Sequence, residues 1–271
     1  MLGSKYTSVS SQLFDIIPTS SSNSESIYLD ISNSNVVKSV LNDYSPDIIV
    51  NCSAYTNVDS AELNRKKAYD VNVLGIKNLI KHSNLNTKIV HFSSDYVFNG
   101  EHGDYCENSN PDPVNYYGKT KLESENVLIS SNRKSLIFRV NGLFDFSNNS
   151  NFFNWTYSNL KKNTSIDVVT DQISNPSYID DFINVINQCI MLDVTGLFHY
   201  GTHDVISRFE FAHKIADFFK LNGDLITPIS TSDLFQTAKR PLKTNLLCSK
   251  IKNMLDLDLQ TITSIFANKG N

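Results

Sequence analysis

Asp47-Ile48-Ile49-Val50, then Ala68, Val71, Leu74, Leu79 and Ile80 at helical spacing, then Lys88-Ile89-Val90-His91-Phe92, form the stretch that decides the fold. Short apolar runs flanking a 3.6-period pattern read as strand, crossover helix and strand, which implies parallel neighbours in one sheet. Working outward, Ser135 to Arg139 gives a further strand. Upstream, Leu13 to Ile17 reads as a strand ended by Pro18 and a Ser-rich turn, and Ile27 to Leu29 as another. Between them and Asp47, the positions Val36, Val37, Val40, Leu41 and Tyr44 mark a helix, with Ser32 or Ser34 as its N-cap and Pro46 at its end. The expected class is α/β, a doubly wound parallel sheet.

After about Phe144 the alternation loosens. Phe152 to Leu160 reads as a helix and Ile166 to Val169 as a strand. Ser207 and Glu210 fit a capping box before the apolar face Phe211, Ala212, Ile215, Ala216 and Phe219. Residues 1–145 are therefore expected to form the sheet domain, completed by parts of 164–203, and residues 146–271 mostly a smaller, interleaved lobe.

Bulk properties narrow the function. The chain has 271 residues, a formal net charge of -4 and 19% charged residues, so no nucleic-acid partner is expected. No apolar run approaches the ~20 residues of a membrane span, and the first residues carry no signal pattern. Cys52, Cys106, Cys189 and Cys248 form no C-x-x-C pair, which argues for reduced thiols in a cytoplasmic protein and against a metal site. The Asn-x-Ser/Thr triplets at Asn51, Asn154 and Asn163 carry little in a chain rich in both residue types.

Open parallel sheets bind ligands at the carboxyl ends of their strands, here Asp30, Asn51 to Thr56 and Ser93 to Tyr96. Tyr117-Gly118-Lys119-Thr120-Lys121 adds the chemistry. Residues four apart share a helix face, so Lys121 is expected to lower the Tyr117 pKa from about 10 toward neutrality and make it a general acid. Alone, the spacing equally fits a surface tyrosine beside a solvated lysine. Its place after a strand ending His91-Phe92-Ser93-Ser94 favours chemistry, because a hydroxyl there could bond the oxygen that Tyr117 protonates.

These segments resemble the extended short-chain dehydrogenases, and within them the dTDP-4-dehydrorhamnose reductase group. The likeness runs through Asn51-Cys-Ser-Ala-Tyr-Thr-Asn-Val-Asp59, His91-Phe-Ser-Ser-Asp-Tyr-Val-Phe-Asn-Gly100, Asn110-Pro-Asp-Pro-Val-Asn-Tyr-Tyr-Gly-Lys-Thr-Lys121, Asp171-Gln-Ile-Ser-Asn-Pro176 and Lys239-Arg-Pro241. It implies a Rossmann-like sheet with a substrate-binding lobe, NADPH or NADH as cofactor, a nucleotide-sugar substrate and a homodimer. By the resemblance, Ser94 polarises a keto oxygen, Tyr117 is the acid, and Lys121 tunes it and holds a ribose. Gly3, Asp30, Ile31, Ala54 and Tyr55 fall to the cofactor, and Asp95, Tyr96, Asn141, Gln172 and Arg240 to the substrate. Asn72 is a structural asparagine. For Arg240 a pyrophosphate clamp and a plain surface arginine stand level.

Two departures matter. The family opens with a central strand and a Gly-x-x-Gly-x-x-Gly turn, whereas this sequence opens Met1-Leu2-Gly3-Ser4, with Gly3 matching the third glycine. An upstream segment carrying the strand is expected; without it, poor cofactor binding and solubility are expected. Gly142 stands where relatives tend to carry a tryptophan, and Ile17-Pro18-Thr19-Ser20 offers neither an acid for a ribose hydroxyl nor an arginine for a 2′-phosphate. Sugar and cofactor preference stay open. Tyr96, where dehydratases place a glutamate, argues against elimination. The alternatives are a non-catalytic regulatory subunit resembling the methionine adenosyltransferase beta subunit, or an epimerase or dehydratase.

Overall fold

A computed structural model describes residues 1–23, 25–147 and 151–269. Of the expected lobe, residues 148–150 and 270–271 lie outside the described residues. Four strands make the main sheet, in the order Ile48–Asn51, Lys88–Ser94, Ser135–Val140, Gly196–Tyr200, and every pair is parallel. Helices cover both faces, as in a Rossmann-like doubly wound fold. One face packs Val90, Leu136, Phe138 and Phe198 against the helix Ile179–Met191. The other packs Ile89 and Ile137 against the helices Ser34–Tyr44 and Gly75–His82.

The chain enters on the helix Leu2–Ser10, whose Leu2 and Tyr6 are buried. It is fastened to Ile179–Met191 by Ser10 Oγ donating to Asn187 Oδ1 at 3.0 Å and by Lys5 with Asp180 at 3.1 Å. The expected strand at Leu13 to Ile17 does not form. The Ser10 carbonyl accepts from Leu13 N and Phe14 N, so the end of the helix claims those donors. Extended pairing starts after Pro18, where Thr19–Ser20 runs parallel to Ile27–Tyr28 as a separate two-residue pair. The next helix is capped by Asn33, not Ser32 or Ser34, with its side chain accepting from Asn35 N and Val36 N. The expected helix through Ala68 to Ile80 is broken into Arg65–Tyr69, a widened π turn over Asp70–Leu74, and Gly75–His82. Such turns gather at functional sites.

The remaining elements form their own layers. Ile166–Val169 pairs parallel with Ile226–Ile229, beneath the helices Phe152–Lys161 and Arg208–Phe219. Phe144, Phe153, Phe211 and Phe266 meet in an aromatic cluster. The capping box at Ser207 and Glu210 is present with both bonds. Ile173–Ser174 pairs antiparallel with Ile206–Ser207, which ties this layer to the carboxyl edge of the main sheet. No described helix is long and apolar enough to cross a membrane.

Candidate active site

Lys88–Ser94 runs straight into a short turn, Asp95–Val97, capped by Ser94. The Ser94 hydroxyl accepts from Tyr96 N at 3.1 Å and donates to Asp95 Oδ1 at 2.9 Å. Facing it, the helix Tyr116–Ser130 is capped by Asn115, which accepts from Gly118 N and donates to the Lys239 carbonyl. A Cβ at Gly118 would collide with the Tyr96 carbonyl oxygen, so glycine lets this helix close on the turn. Tyr117 therefore lines the same cleft as Ser94, with its ring edge-on to Tyr96 at 6.0 Å between centroids.

Burial sets the electrostatics. It pushes the Tyr117 hydroxyl up, opposite to the sequence expectation, and Lys121 is not among the groups acting on it. Lys121 is 1% exposed, and burial outweighs the Glu125 carboxylate to bring it down to about 8. A desolvated ammonium is a weaker partner than spacing suggests. Burial likewise takes Asp95 up to about 6, against hydrogen bonds from Thr244 and Ser94 and the charge of Arg208. Behind Lys121, Glu125 receives two bonds from Arg139, at 3.0 and 2.7 Å, in a pair shut away from water.

The cleft that Ser94, Asp95, Tyr96 and Tyr117 open into is closed on its other side by Asn141, Gly142, Gln172, Arg208 and Thr244. Asn141 and Gln172, two of the residues read as facing the substrate, line this cleft. Gln172 spends its amide on structure, donating to Thr231 Oγ1 at 3.1 Å and accepting from Arg208 Nε at 3.0 Å. Arg208 was not foreseen. Its signal was a cation in the first turn of a helix, against the helix dipole.

The cofactor residues divide. Ala54 and Tyr55 lie in the loop after Ile48–Asn51. Asn72, in the π turn, clamps that loop by accepting from Tyr55 N at 2.7 Å while donating to Thr120 at 2.8 Å. Asp30 follows Ile27–Tyr28 and accepts from both the backbone and hydroxyl of Ser32. Gly3 sits in the first helix, where a Cβ would come within 3.2 Å of the Cys52 Cβ, which is the close packing a third glycine allows. The Ile31 side chain is buried, filling the space beneath Gly75, and its carbonyl accepts from Asn78. Arg240 is not a free clamp either. Its guanidinium holds both Asp59 oxygens, at 3.0 and 2.6 Å, and the Ala238 carbonyl, because the segment 231–240 straps the outer layer to the helix Val58–Leu63.

A family model described as the RmlD substrate binding domain matches residues 2–266. The chain belongs to the RmlD substrate-binding domain family. Among RmlD relatives, the dTDP-4-dehydrorhamnose reductase of Aggregatibacter actinomycetemcomitans is 37% identical over 242 residues, 83% of this chain and 80% of that protein. The crystal structure of the enzyme of that name from Bacillus anthracis str. Ames, in complex with NADP, superposes with a TM-score of 0.91 at 31% identity, covering 98% of this chain and 94% of the other. Methionine adenosyltransferase 2 subunit beta of Bos taurus is 30% identical over 234 residues, 82% of this chain and 69% of its own.

Proposed function

We propose that this chain reduces the 4-keto group of a dTDP-activated deoxysugar, as a dTDP-4-dehydrorhamnose reductase, with NADPH or NADH. The observation that carries this reading is that Ser94 and Tyr117 line one cleft at the carboxyl end of a buried strand, with Lys121 one turn along the helix from Tyr117. The bound cofactor supplies hydride. Ser94 and Tyr117 supply hydrogen bonds and a proton to the keto oxygen. Among the described residues the Lys121 ammonium has no hydrogen-bond partner, which suits it to the hydroxyls of a ribose. At the start of the turn after Thr19–Ser20, Ser20 Oγ accepts from Ser22 N and Asn23 N, a neutral setting that suits either cofactor. Residues 1–145 form the cofactor side and 146–271 most of the sugar-nucleotide side. A cavity walled by Phe144, Phe152, Phe153 and Phe211 adjoins the cleft past Arg208 and suits a flat nucleobase.

The test is oxidation of NADPH or NADH with dTDP-4-dehydrorhamnose. Tyr117→Phe should lower kcat by about 10²-fold or more, with cofactor binding preserved when read by energy transfer from the single tryptophan, Trp155. The 30% identity to a methionine adenosyltransferase subunit supports a second, regulatory reading. Absence of turnover together with co-purification of a synthetase would favour it.

A further inference from the structure

We propose that His91 is a positioning residue that ties the helix turn Tyr117–Lys121, through Ser124, to the loop after Ile48–Asn51, an inference that rests on the cofactor role given to Lys121 above. His91 lies directly opposite Asn51 in the sheet register. It is 1% exposed and shares with Ile89 the sheet face against which Leu128 of the helix Tyr116–Ser130 packs. The hydrogens along this contact can be assigned one by one. Ser124 Oγ lies 2.6 Å from the Lys121 carbonyl, which only accepts, so the one hydroxyl proton goes there. His91 Nε2, 2.9 Å from the same hydroxyl, is then the donor. At the other end Ser53 N donates to Asn51 Oδ1 at 3.1 Å, which leaves the Asn51 amide nitrogen to face His91 Nδ1 at 3.4 Å. Nδ1 therefore carries no proton and accepts.

Every donor from Ser53 to Ser124 thus has its acceptor, and the chain runs one way. A neutral ring with a single N–H is what it needs, and burial, then the charge of Lys121, hold His91 well below the ordinary histidine range. A second chain runs beside it. Asn72 accepts from Tyr55 N and donates to Thr120 Oγ1, whose own proton goes to the Tyr117 carbonyl at 2.8 Å. Both chains start in the loop that carries Ala54 and Tyr55, and they end one helical turn apart, on the carbonyls of Tyr117 and Lys121. One contact would leave the helix free to pivot on it, whereas two fix its height and its rotation. The main-chain carbonyls do no chemistry; what the His91 chain sets is the place from which the Lys121 side chain reaches a ribose.

His91→Phe keeps a flat ring and deletes both bonds. It should weaken NADPH binding about 10-fold, read by energy transfer from Trp155, and leave the KM for dTDP-4-dehydrorhamnose unchanged. His91→Gln, whose amide can donate toward Ser124, should recover most of the loss. A histidine that merely fills space predicts the reverse order, with Phe the milder change, and that order or an unchanged affinity in His91→Phe would overturn the proposal. Ser124→Ala loses one oxygen from the helix interior. It should move the backbone amide signal of Ser53, on the far side of the strand, in a ¹⁵N–¹H spectrum; an unmoved signal sinks the chain. The ¹⁵N signals of labelled histidine, with His91 assigned by its loss in His91→Gln, should show the Nε2–H tautomer. An Nδ1–H tautomer or an imidazolium would contradict the assigned donors. Both spectra need neither cofactor nor turnover. A parent chain that binds NADPH but reduces no dTDP-4-dehydrorhamnose therefore fails the reductase reading alone, and the affinities and spectra still decide the role of His91.

Discussion

The strand Lys88–Ser94 is buried at all seven positions and paired on both sides, whereas Thr19–Ser20 and Ile27–Tyr28 are a two-residue pair with Tyr28 59% exposed. The first carries Ser94 and abuts Tyr117. The second leads to the turns where an adenosine would lie. Chemistry needs donors fixed to a fraction of an ångström, and a strand with neighbours on each side and helices on both faces supplies that. Recognition of a cofactor's far end tolerates a looser frame. The molecule concentrates its buried ionic and aromatic contacts accordingly. Arg139 bonds Glu125, lies 5.0 Å from the Phe98 ring centroid, and approaches His199, linking the helix of Tyr117 to the strands Ser135–Val140 and Gly196–Tyr200.

That contrast can be broken at its strong end first. Glu125→Gln leaves the Arg139 cation buried without a countercharge, and should cost about 3–5 kcal/mol by urea denaturation. A loss below about 1 kcal/mol would mean the pair is not the girder described. The strap comes next. Arg240→Ala removes charge-assisted bonds to a partly exposed Asp59, so about 1–2 kcal/mol is expected. It should also raise the KM for the sugar nucleotide, since segment 231–240 holds Thr231 against Gln172 and, through it, Arg208. An unaltered KM would separate the strap from the site. At the weak end, Tyr28→Ala should shift stability by no more than about 0.5 kcal/mol. A larger effect would show that the small pair is better held than its two residues suggest.

Much of this was legible in the sequence because it depends on local pattern. The strands at Ile48, Lys88 and Ser135 follow from short apolar runs, and the spacing of Tyr117 and Lys121 put them on one helix. The capping box at Ser207 needed only four residues. What the sequence did not show lies in contacts made at a distance. Leu13 to Ile17 has a strand's composition, but the end of the preceding helix takes its donors. Arg240 has a clamp's chemistry, but Asp59, 181 positions away, already occupies it. Ile31 follows directly on Asp30, yet the missing side chain of Gly75 draws it into the core.

By itself the sequence determined the doubly wound parallel architecture and the family, and it set Tyr117 and Lys121 on one helix after the strand that ends at Ser94, since each rests on periodicity or short spacing. Only the tertiary structure decided how those groups ionise and what completes them. Desolvation depends on everything packed around a side chain, and it raised Tyr117, lowered Lys121 and lifted Asp95 toward neutrality. Arg208 and Thr244 reach the same carboxyl from segments more than a hundred residues away, a convergence that folding creates and no local pattern encodes.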